Sequence, residues 1–231
     1  MASTYLTRTF GTDNSGVYKF TYSFWFKRST IGTEQLLTTA FTDGNNLGLI
    51  RFNSTDVLEI YDYQSAYKVR KVTNRVFRDT SAWYNLVIAV DTTQGTADNR
   101  LKMYINGVQE TSFSTDINYS LNDATMFNKN VLNEIGRNPY TGGIGYFDGS
   151  MSHVHFIDGT AYDATAFGEY DANGVWKIKT SPSVTYGTNG FFILKDGNSV
   201  TDQSGNSNNF TVAGGTLTNT EDSPSNVFAT L

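Results

Sequence analysis

Residues 20–27 read Phe20-Thr21-Tyr22-Ser23-Phe24-Trp25-Phe26-Lys27. Aromatic side chains recur here at every second position from Phe20 to Phe26, and the alternate positions hold Thr21, Ser23 and Lys27 together with Trp25. Successive side chains of a β-strand point to opposite faces of its sheet. The alternation therefore predicts a strand that turns one aromatic face toward a core, and this strand decides the fold class.

The same periodicity continues along the chain. Residues 83–90 are largely apolar on both faces, as in a central strand covered on both sides. Residues 101–105 alternate, Asn106-Gly107 is a preferred two-residue hairpin turn, and residues 108–113 form the predicted return strand. Clusters of Asn, Asp, Gly and Ser separate the other segments, and only 161–169 has the composition of a helical turn. The remaining predicted strands are 34–41, 46–52, 57–63, 66–72, 131–136, 145–157, 189–195 and 210–212.

About a dozen short strands separated by turns predict an all-β fold, a two-sheet antiparallel jelly-roll sandwich. The composition agrees with this fold class. Aromatic residues make up 14% of the 231 residues, and charged residues only 17%, against roughly 25% in an average soluble domain. Tyr, Phe, Thr and Val suit the half-buried surface of a pleated sheet.

We predict one domain over residues 1–215, followed by an extended C-terminal arm, 216–231, that packs on this domain or on a neighbouring molecule. Residues 170–231 are rich in Ser, Thr, Asn and Gly, so a second module or a linker with a tail are alternatives. The apolar runs 190–194 and 210–212 favour closing strands of the same sandwich, because they need a core.

Charge and cysteine content narrow the function classes. A net charge of −5 offers no broad basic surface for nucleic acid or anionic lipid. The basic residues of 68–71, with Arg75 and Arg78, alternate with valines and are interpreted as one solvated strand face. The chain has no cysteine and no apolar run long enough to span a membrane. Residues 1–6 lack a secretory signal pattern, so we expect folding in a cytosol.

Two segments resemble a known family. The strand–connector–hairpin pattern over 83–107 and the later strand over 147–156 look like concanavalin A-like domains of the laminin-G and pentraxin type. In that family both segments are structural signatures. The resemblance therefore implies the jelly-roll fold and leaves the function open.

Shorter motifs, kept in one order along nearly the whole chain, resemble laminin-G-like virion proteins of tailed, especially marine, bacteriophages. The resemblance implies a non-enzymatic particle component, a head fibre, decoration protein or tail-associated adhesin, made in the host cytoplasm. Its expected partners are other virion subunits, and a symmetric homo-oligomer would suit a projecting part. Immunogold labelling of purified virions tests this hypothesis. The motifs are 1–6, 22–28, 155–159, 167–169, 174–176, 186–191, 202–210 and 222–226.

The alternative function is recognition of a bacterial surface glycan by a lectin-like module. Such sites combine an exposed aromatic ring with neighbouring amides and carboxylates that bind hydroxyl groups. Each candidate residue could equally belong to the core or to a subunit interface. The candidates are Trp25, Tyr140, Tyr146 and Trp176, with Asn138 and Asp148 as polar neighbours.

A cation site is the candidate cofactor chemistry. Residues 202–209 place oxygen-bearing side chains around a glycine, which suits Ca²⁺, with Asp202, Asn206 and Asn208 as ligands. The alternative is a tight turn in which these side chains cap the backbone. His153 and His155 share a strand face, but a zinc site needs further ligands that the sequence does not identify.

Catalysis is not expected. A glycosidase needs two carboxylates flanking the scissile bond, and the nearest arrangement is Glu59 and Asp62. These two lie three positions apart, so a regular strand points them to opposite faces. No nucleophile elbow, phosphate loop or metalloprotease motif occurs in the sequence.

Overall fold

Two large antiparallel sheets account for most of the chain. The computed structural model describes residues 3–11, 15–140, 144–197, 199–225 and 229–230. Their strands are β1 (Tyr5–Thr9), β2 (Lys19–Arg28), β3 (Gln35–Asp43), β4 (Asn46–Phe52), β5 (Val57–Gln64), β6 (Tyr67–Val76), β7 (Tyr84–Asp91), β8 (Leu101–Ile105), β9 (Val108–Glu110), β10 (Phe113–Ile117), β11 (Leu132–Ile135), β12 (Gly149–Asp158), β13 (Gly168–Tyr170), β14 (Trp176–Ile178), β15 (Phe191–Ile193), β16 (Thr211–Ala213), β17 (Asn219–Thr220) and β18 (Ala229–Thr230).

Sheet A runs in the order β10-β6-β5-β4-β3-β11-β1-β16. Sheet B runs β17-β18-β12-β2-β7-β8-β9, and β15 also pairs with β12. A small sheet, β13-β14, lies apart from both. Short 3-10 turns occur at Ser15–Tyr18, Ala97–Asn99, Met126–Asn128 and Ala164–Ala166, the last within the segment predicted to be a helical turn. The all-β jelly-roll sandwich is confirmed.

Strand β2 occupies the centre of sheet B, as its alternation predicts. It pairs with β7 along eight residues and with β12 on its other side. The side chains of Phe20, Tyr22, Phe24 and Phe26 are all buried between the sheets. Phe26 meets Phe52 of sheet A with ring centroids 5.2 Å apart. Burying one such ring stabilises the fold by about 1.5–3 kcal/mol relative to its exposure.

Two predicted strands end at least three residues earlier, or begin at least three residues later, than the sequence indicates. The return strand of the Asn106-Gly107 hairpin stops at Glu110, and Phe113 begins β10 in the other sheet. Asn74 donates its backbone N–H to the Ser112 carbonyl at 3.0 Å, which draws the chain across to sheet A. The later strand begins at Gly149 rather than at residue 145, because Gly145 has a φ of +61° that no regular strand accommodates.

The outer face of sheet B is covered by the segment 159–190. Its apolar cluster contains Trp25, Val87, Ile157, Ala164, Phe167 and Trp176. Trp176 donates its indole N–H to Asn85 Oδ1 at 3.1 Å and packs against Gly107 and Gly168. A Cβ on either glycine would lie within 2.5 Å of the Trp176 ring, so both positions depend on the absence of a side chain.

The described part of the C-terminal arm lies against its own domain. Thr4 Oγ1 donates to the Thr216 carbonyl at 3.1 Å, and Leu217 packs against the main core. Asp222 accepts hydrogen bonds from Lys27 Nζ and, at 2.8 Å, from Trp83 Nε1. Residues 226–228 and 231 lie outside the described residues. The arm thus continues sheet B, where β18 pairs with β12.

Candidate functional site

A row of tyrosines lies on the outer face of sheet A, on the hairpin β5–β6. Alternation along β5 points Tyr61 and Tyr63 away from the core, whereas Ile60 is buried in it. The tight turn at residues 65–66 brings Tyr67 directly opposite Tyr63. The Tyr67 ring centroid is 5.1 Å from that of Tyr63 and 5.6 Å from that of Tyr61, both in edge-to-face arrangements.

Two loops complete a cleft around these rings. The turn Gly44-Asn45 forms one wall, and residues 138–140 form the other. Tyr140 lies directly over Gly44, where an added Cβ would be 2.6 Å from Tyr140 Cε2. Asn138 Oδ1 accepts the Tyr140 backbone N–H at 3.0 Å and so orients the loop. We call this space, of about 290 Å³, the tyrosine cleft; it is lined by Gly44, Asn45, Leu47, Tyr61, Tyr63, Tyr67, Asn138 and Tyr140.

A chain of four charged side chains lies beside the cleft. Glu59 is buried, and its carboxylate pairs with Arg51 at 2.8 Å and with Arg70 at 2.7 Å. Arg51 also pairs with Glu34 at 2.6 Å. The guanidinium carbons of Arg51 and Arg70 lie 5.4 and 5.0 Å from the ring centroids of Tyr61 and Tyr67. These cation–π contacts brace the rings from the side of the cleft.

The tyrosine rings of the cleft differ in exposure. Tyr67 and Tyr140 are 41% and 46% exposed, so each offers a ring face to solvent. Tyr61 is less exposed, and burial raises the pKa of its hydroxyl to about 12. The Tyr61 hydroxyl is therefore protonated near neutral pH, and it can donate as well as accept a hydrogen bond.

Two of the six predicted glycan-binding residues, Asn138 and Tyr140, meet in this cleft. Tyr146 follows on the same connection but points elsewhere. Its ring centroid is 6.3 Å from that of Tyr5, and the guanidinium of Arg137 lies 3.6 Å from the Tyr5 ring centroid. Tyr146 thus belongs to a separate aromatic group on sheet A.

The other three predicted residues lie away from the cleft. Trp25 and Trp176 are buried under the segment 159–190, so neither presents a free ring face. Asp148 lines a cavity of about 350 Å³ between β1, β12 and the C-terminal arm, and it accepts a hydrogen bond from Thr30. The sequence grouped these residues by chemistry alone, and the fold distributes them over both sheets.

The candidate calcium ligands lie in a tight turn with many internal hydrogen bonds. Asp202 accepts the backbone N–H groups of Phe192, Ser204 and Asn208, each at 2.8 Å. Asn206 Nδ2 and Asn208 Nδ2 both donate to the Gly190 carbonyl. These contacts are those of side chains that cap the backbone. A cation at Asp202 would have to compete with these donors.

The two histidines are buried and share the face that the sequence predicts. His155 Nδ1 lies 2.9 Å from the Tyr186 hydroxyl, and its ring stacks on Phe192 at 3.9 Å. His153 lies at the irregularity in the β2–β12 pairing, with a φ of +49°. Burial lowers the pKa of His153 to about 4 and holds the pKa of His155 well below its usual range. Both rings are therefore neutral at physiological pH.

Glu59 and Asp62 point to opposite faces of β5, as the spacing predicts. Asp62 accepts hydrogen bonds in the interior from the Tyr119 hydroxyl at 3.0 Å and from the Met126 N–H at 2.7 Å. Burial raises its pKa to about 6. Glu59 is occupied by two arginines on the other face. The two carboxylates therefore do not form a pair across one cleft.

Sequence reasoning missed Tyr61, Tyr63 and Tyr67. The signal was present in the run Tyr61-Asp62-Tyr63-Gln64-Ser65-Ala66-Tyr67. Tyrosines two apart on a strand share a face, and the three residues 64–66, with a register shift at Asp62, place Tyr67 opposite Tyr63. The alternation therefore predicts Tyr61 and Tyr63 on one face, whereas the position of Tyr67 and the loop that closes the cleft follow only from the structure.

Comparison with known proteins assigns the chain to a family. A family model described as the concanavalin A-like lectin/glucanases superfamily matches residues 2–165. This is more than half of the chain, so the protein belongs to the concanavalin A-like lectin/glucanases superfamily. Among curated proteins, none matches this chain.

Solved structures share the fold at low sequence identity. A candidate carbohydrate-binding protein from Bacteroides ovatus is 16% identical, with a TM-score of 0.55 over 92% of this chain and 56% of that one. This chain thus spans little more than half of that protein. A pentraxin from Limulus polyphemus (13% identity, TM-score 0.45, 69% and 77% coverage) and the CBM40 of a Ruminococcus gnavus IT-sialidase (14%, 0.46, 65% and 80%) are also similar. At these identities the likeness shows the fold alone.

No helix among the described residues is long and apolar enough to cross a membrane. Within the same residues, no group of three or more His, Cys, Asp or Glu side chains is arranged to hold a metal ion.

Proposed function

We propose that this domain is a non-catalytic, lectin-like module that binds carbohydrate in the tyrosine cleft. The observation that carries the proposal is the row of Tyr61, Tyr63 and Tyr67 on the outer face of sheet A, walled by Asn45 and Asn138. Aromatic faces offer an apolar platform to the C–H face of a sugar ring, while amide and hydroxyl groups bind its hydroxyls. The family membership and the fold shared with a candidate carbohydrate-binding protein support this function.

Binding is a better fit than hydrolysis because of how the carboxylates are used. In the described structure, the two arginines that brace the tyrosines pair with Glu34 and Glu59. Arg51 bridges these two carboxylates, so neither is free to act as a general acid or a nucleophile. The superfamily name includes glucanases, but the cleft has the contacts of a binding site.

The proposal predicts that Tyr67→Ala removes glycan binding without unfolding the domain. Tyr67 contacts both other tyrosines and is 41% exposed, so its loss removes a platform and little core packing. Truncating a central aromatic of a binding site costs about 2 kcal/mol or more, which is roughly thirtyfold in affinity. The measurement is a glycan array followed by titration calorimetry on the best ligand.

Tyr170→Ala is the matched control. Tyr170 is a comparably exposed tyrosine, 51% accessible, on β13 beyond the outer face of sheet B. The control variant should bind glycan as the wild type does. Equal glycan binding by Tyr67→Ala and wild type would show that the tyrosine cleft is not the binding site. If no glycan on the array is bound, the proposed function is wrong.

The virion hypothesis rests on the sequence resemblance and stays a prediction. It is compatible with glycan binding, because a displayed lectin can also attach to other virion subunits. No contact in the described structure favours a virion partner over another one, so glycan binding is the function that we propose.

A further inference from the structure

Among the residues that the structure describes, the lining of the tyrosine cleft contains no charged side chain. Its surface comes from tyrosine rings, Leu47, two asparagines and the backbone at Gly44. The charged side chains that brace the tyrosines are Glu34, Arg51, Glu59 and Arg70, two negative and two positive. They pair with one another at 2.6–2.8 Å, so their net charge is zero. The described residues of the cleft and of its bracing pairs therefore offer no unpaired cation to a ligand.

An acidic sugar would bind poorly in such a cleft. Its carboxylate would lose water on entering, and this cost is offset only by a cation or by several strong donors. Arg51 already serves both glutamates, and Arg70 directs its Nε toward Glu59 and its guanidinium over Tyr67. The hydroxyls of an uncharged sugar require only the amide and phenol groups that line the cleft.

The cleft also lacks the ligands that a bridging cation would need. Calcium takes six to eight oxygen ligands and favours carboxylates among them. None of the lining residues in the described part of the chain carries a carboxylate. Glu59, the buried acid beside the tyrosines, has one oxygen on Arg51 and the other on Arg70. A sugar in this cleft would therefore contact the protein directly.

The volume limits the size of the ligand. The space of about 290 Å³ lies at the lower end of the roughly 300–1,000 Å³ typical of small-molecule sites. Edge-to-face contacts at 5.1 and 5.6 Å hold the tyrosine rings at fixed angles, and the floor is thus preformed. Such a cleft accepts one or two sugar units and leaves the rest of an oligosaccharide in solvent.

We infer that the tyrosine cleft binds one or two units of an uncharged glycan and does so without a metal ion. The inference rests on the proposed function, because it specifies the ligand class of the same cleft.

The experiment compares neutral and acidic sugars on the full chain. The probes are matched pairs, lactose with sialyllactose and galactobiose with digalacturonate, together with an array of neutral and acidic oligosaccharides. Each is measured by titration calorimetry with wild type, Tyr67→Ala and Tyr170→Ala, in the presence of CaCl₂ and again in EDTA. We expect neutral members to bind, with affinity unchanged in EDTA and reduced about thirtyfold or more by Tyr67→Ala.

The outcomes separate this inference from the function on which it rests. Binding that depends on Tyr67 but favours the acidic member of a pair by tenfold overturns the ligand class and leaves the function standing. Loss of Tyr67-dependent binding in EDTA overturns metal independence in the same way. Absence of binding to every neutral and acidic probe overturns the proposed function and this inference together.

Discussion

Arg28 is the largest side chain that the sandwich buries completely among the described residues. It pairs with Asp56 at 3.0 Å, donates to the Phe77 carbonyl at 2.8 Å and lies 4.4 Å from the Phe52 ring centroid. Asp56 has a φ of +67° and also accepts the Gly32 N–H at 2.7 Å. A buried charge is tolerated only when it is paired and hydrogen-bonded, and this group meets both conditions.

Replacing this arginine should be costly. In Arg28→Met the methionine fills part of the space, but Asp56 stays buried with one cation fewer and the Phe77 carbonyl loses a donor. We expect a loss of about 3 kcal/mol in the free energy of unfolding, measured by urea denaturation. Arg78→Met is the control, because Arg78 also pairs with Asp56 at 3.0 Å but is largely exposed. The control should lose at most about 1 kcal/mol. Equal losses in the two variants would contradict the role of burial.

At the scale of elements, the turn between β3 and β4 shapes the tyrosine cleft from outside sheet A. Gly44 gives Tyr140 room to lie across the turn, with the Phe41 ring centroid 6.5 Å from that of Tyr140. Two connections that are distant in sequence thus meet over the β5–β6 hairpin. The cleft depends on this meeting, because no single hairpin supplies both its floor and its walls.

A methyl group at residue 44 should reshape the cleft without unfolding the domain. The added Cβ of Gly44→Ala would lie 2.6 Å from Tyr140 Cε2, the end of a flexible and exposed side chain that can move aside. We expect about tenfold weaker glycan binding, measured by titration calorimetry, with a change in stability below about 0.5 kcal/mol. Gly95→Ala, where an added Cβ meets nothing within 4 Å, is the control. Unchanged binding by Gly44→Ala would mean that Tyr140 does not contact the ligand.

At the scale of the whole molecule, the buried histidines lower the folding stability at acidic pH. His153 faces Asp196, Lys195 and the ring of His155, and burial lowers its pKa from 6.5 to about 4. Between these two values the unfolded chain binds a proton that the folded protein does not. Stability from this group is therefore complete above about pH 6.5 and falls as the pH drops toward 4.

Comparing wild type with His153→Asn isolates this effect. Asn accepts the positive φ at this position. Asp62, whose raised pKa of about 6 acts in the opposite direction, is present in both proteins and cancels in the difference. From pH 7 to 4, wild type should lose up to about 3 kcal/mol of unfolding free energy relative to the variant, measured by urea denaturation at each pH. A constant difference across this range would show that His153 takes up protons equally in both states.

The sequence by itself determined the fold class and most strands of this protein. Period-two alternation is a local property, so the pattern from Phe20 to Phe26 predicts a buried strand face without knowledge of the strands that pack against it. The same alternation predicts the strands β4 and β5, and it predicts that Glu59 and Asp62 point to opposite faces of β5.

Only the tertiary structure decided which side chains share a site. Trp25 and Trp176 have the chemistry of a sugar platform, but the cover formed by 159–190 buries them. Tyr140 lines the same cleft as Tyr67 because β3, β4 and β5 are neighbours in sheet A, which places the turn at Gly44 beside the loop at Asn138. Strand order and the path of a loop depend on the packing of the whole chain. No local pattern encodes them, so the cleft emerged only with the fold.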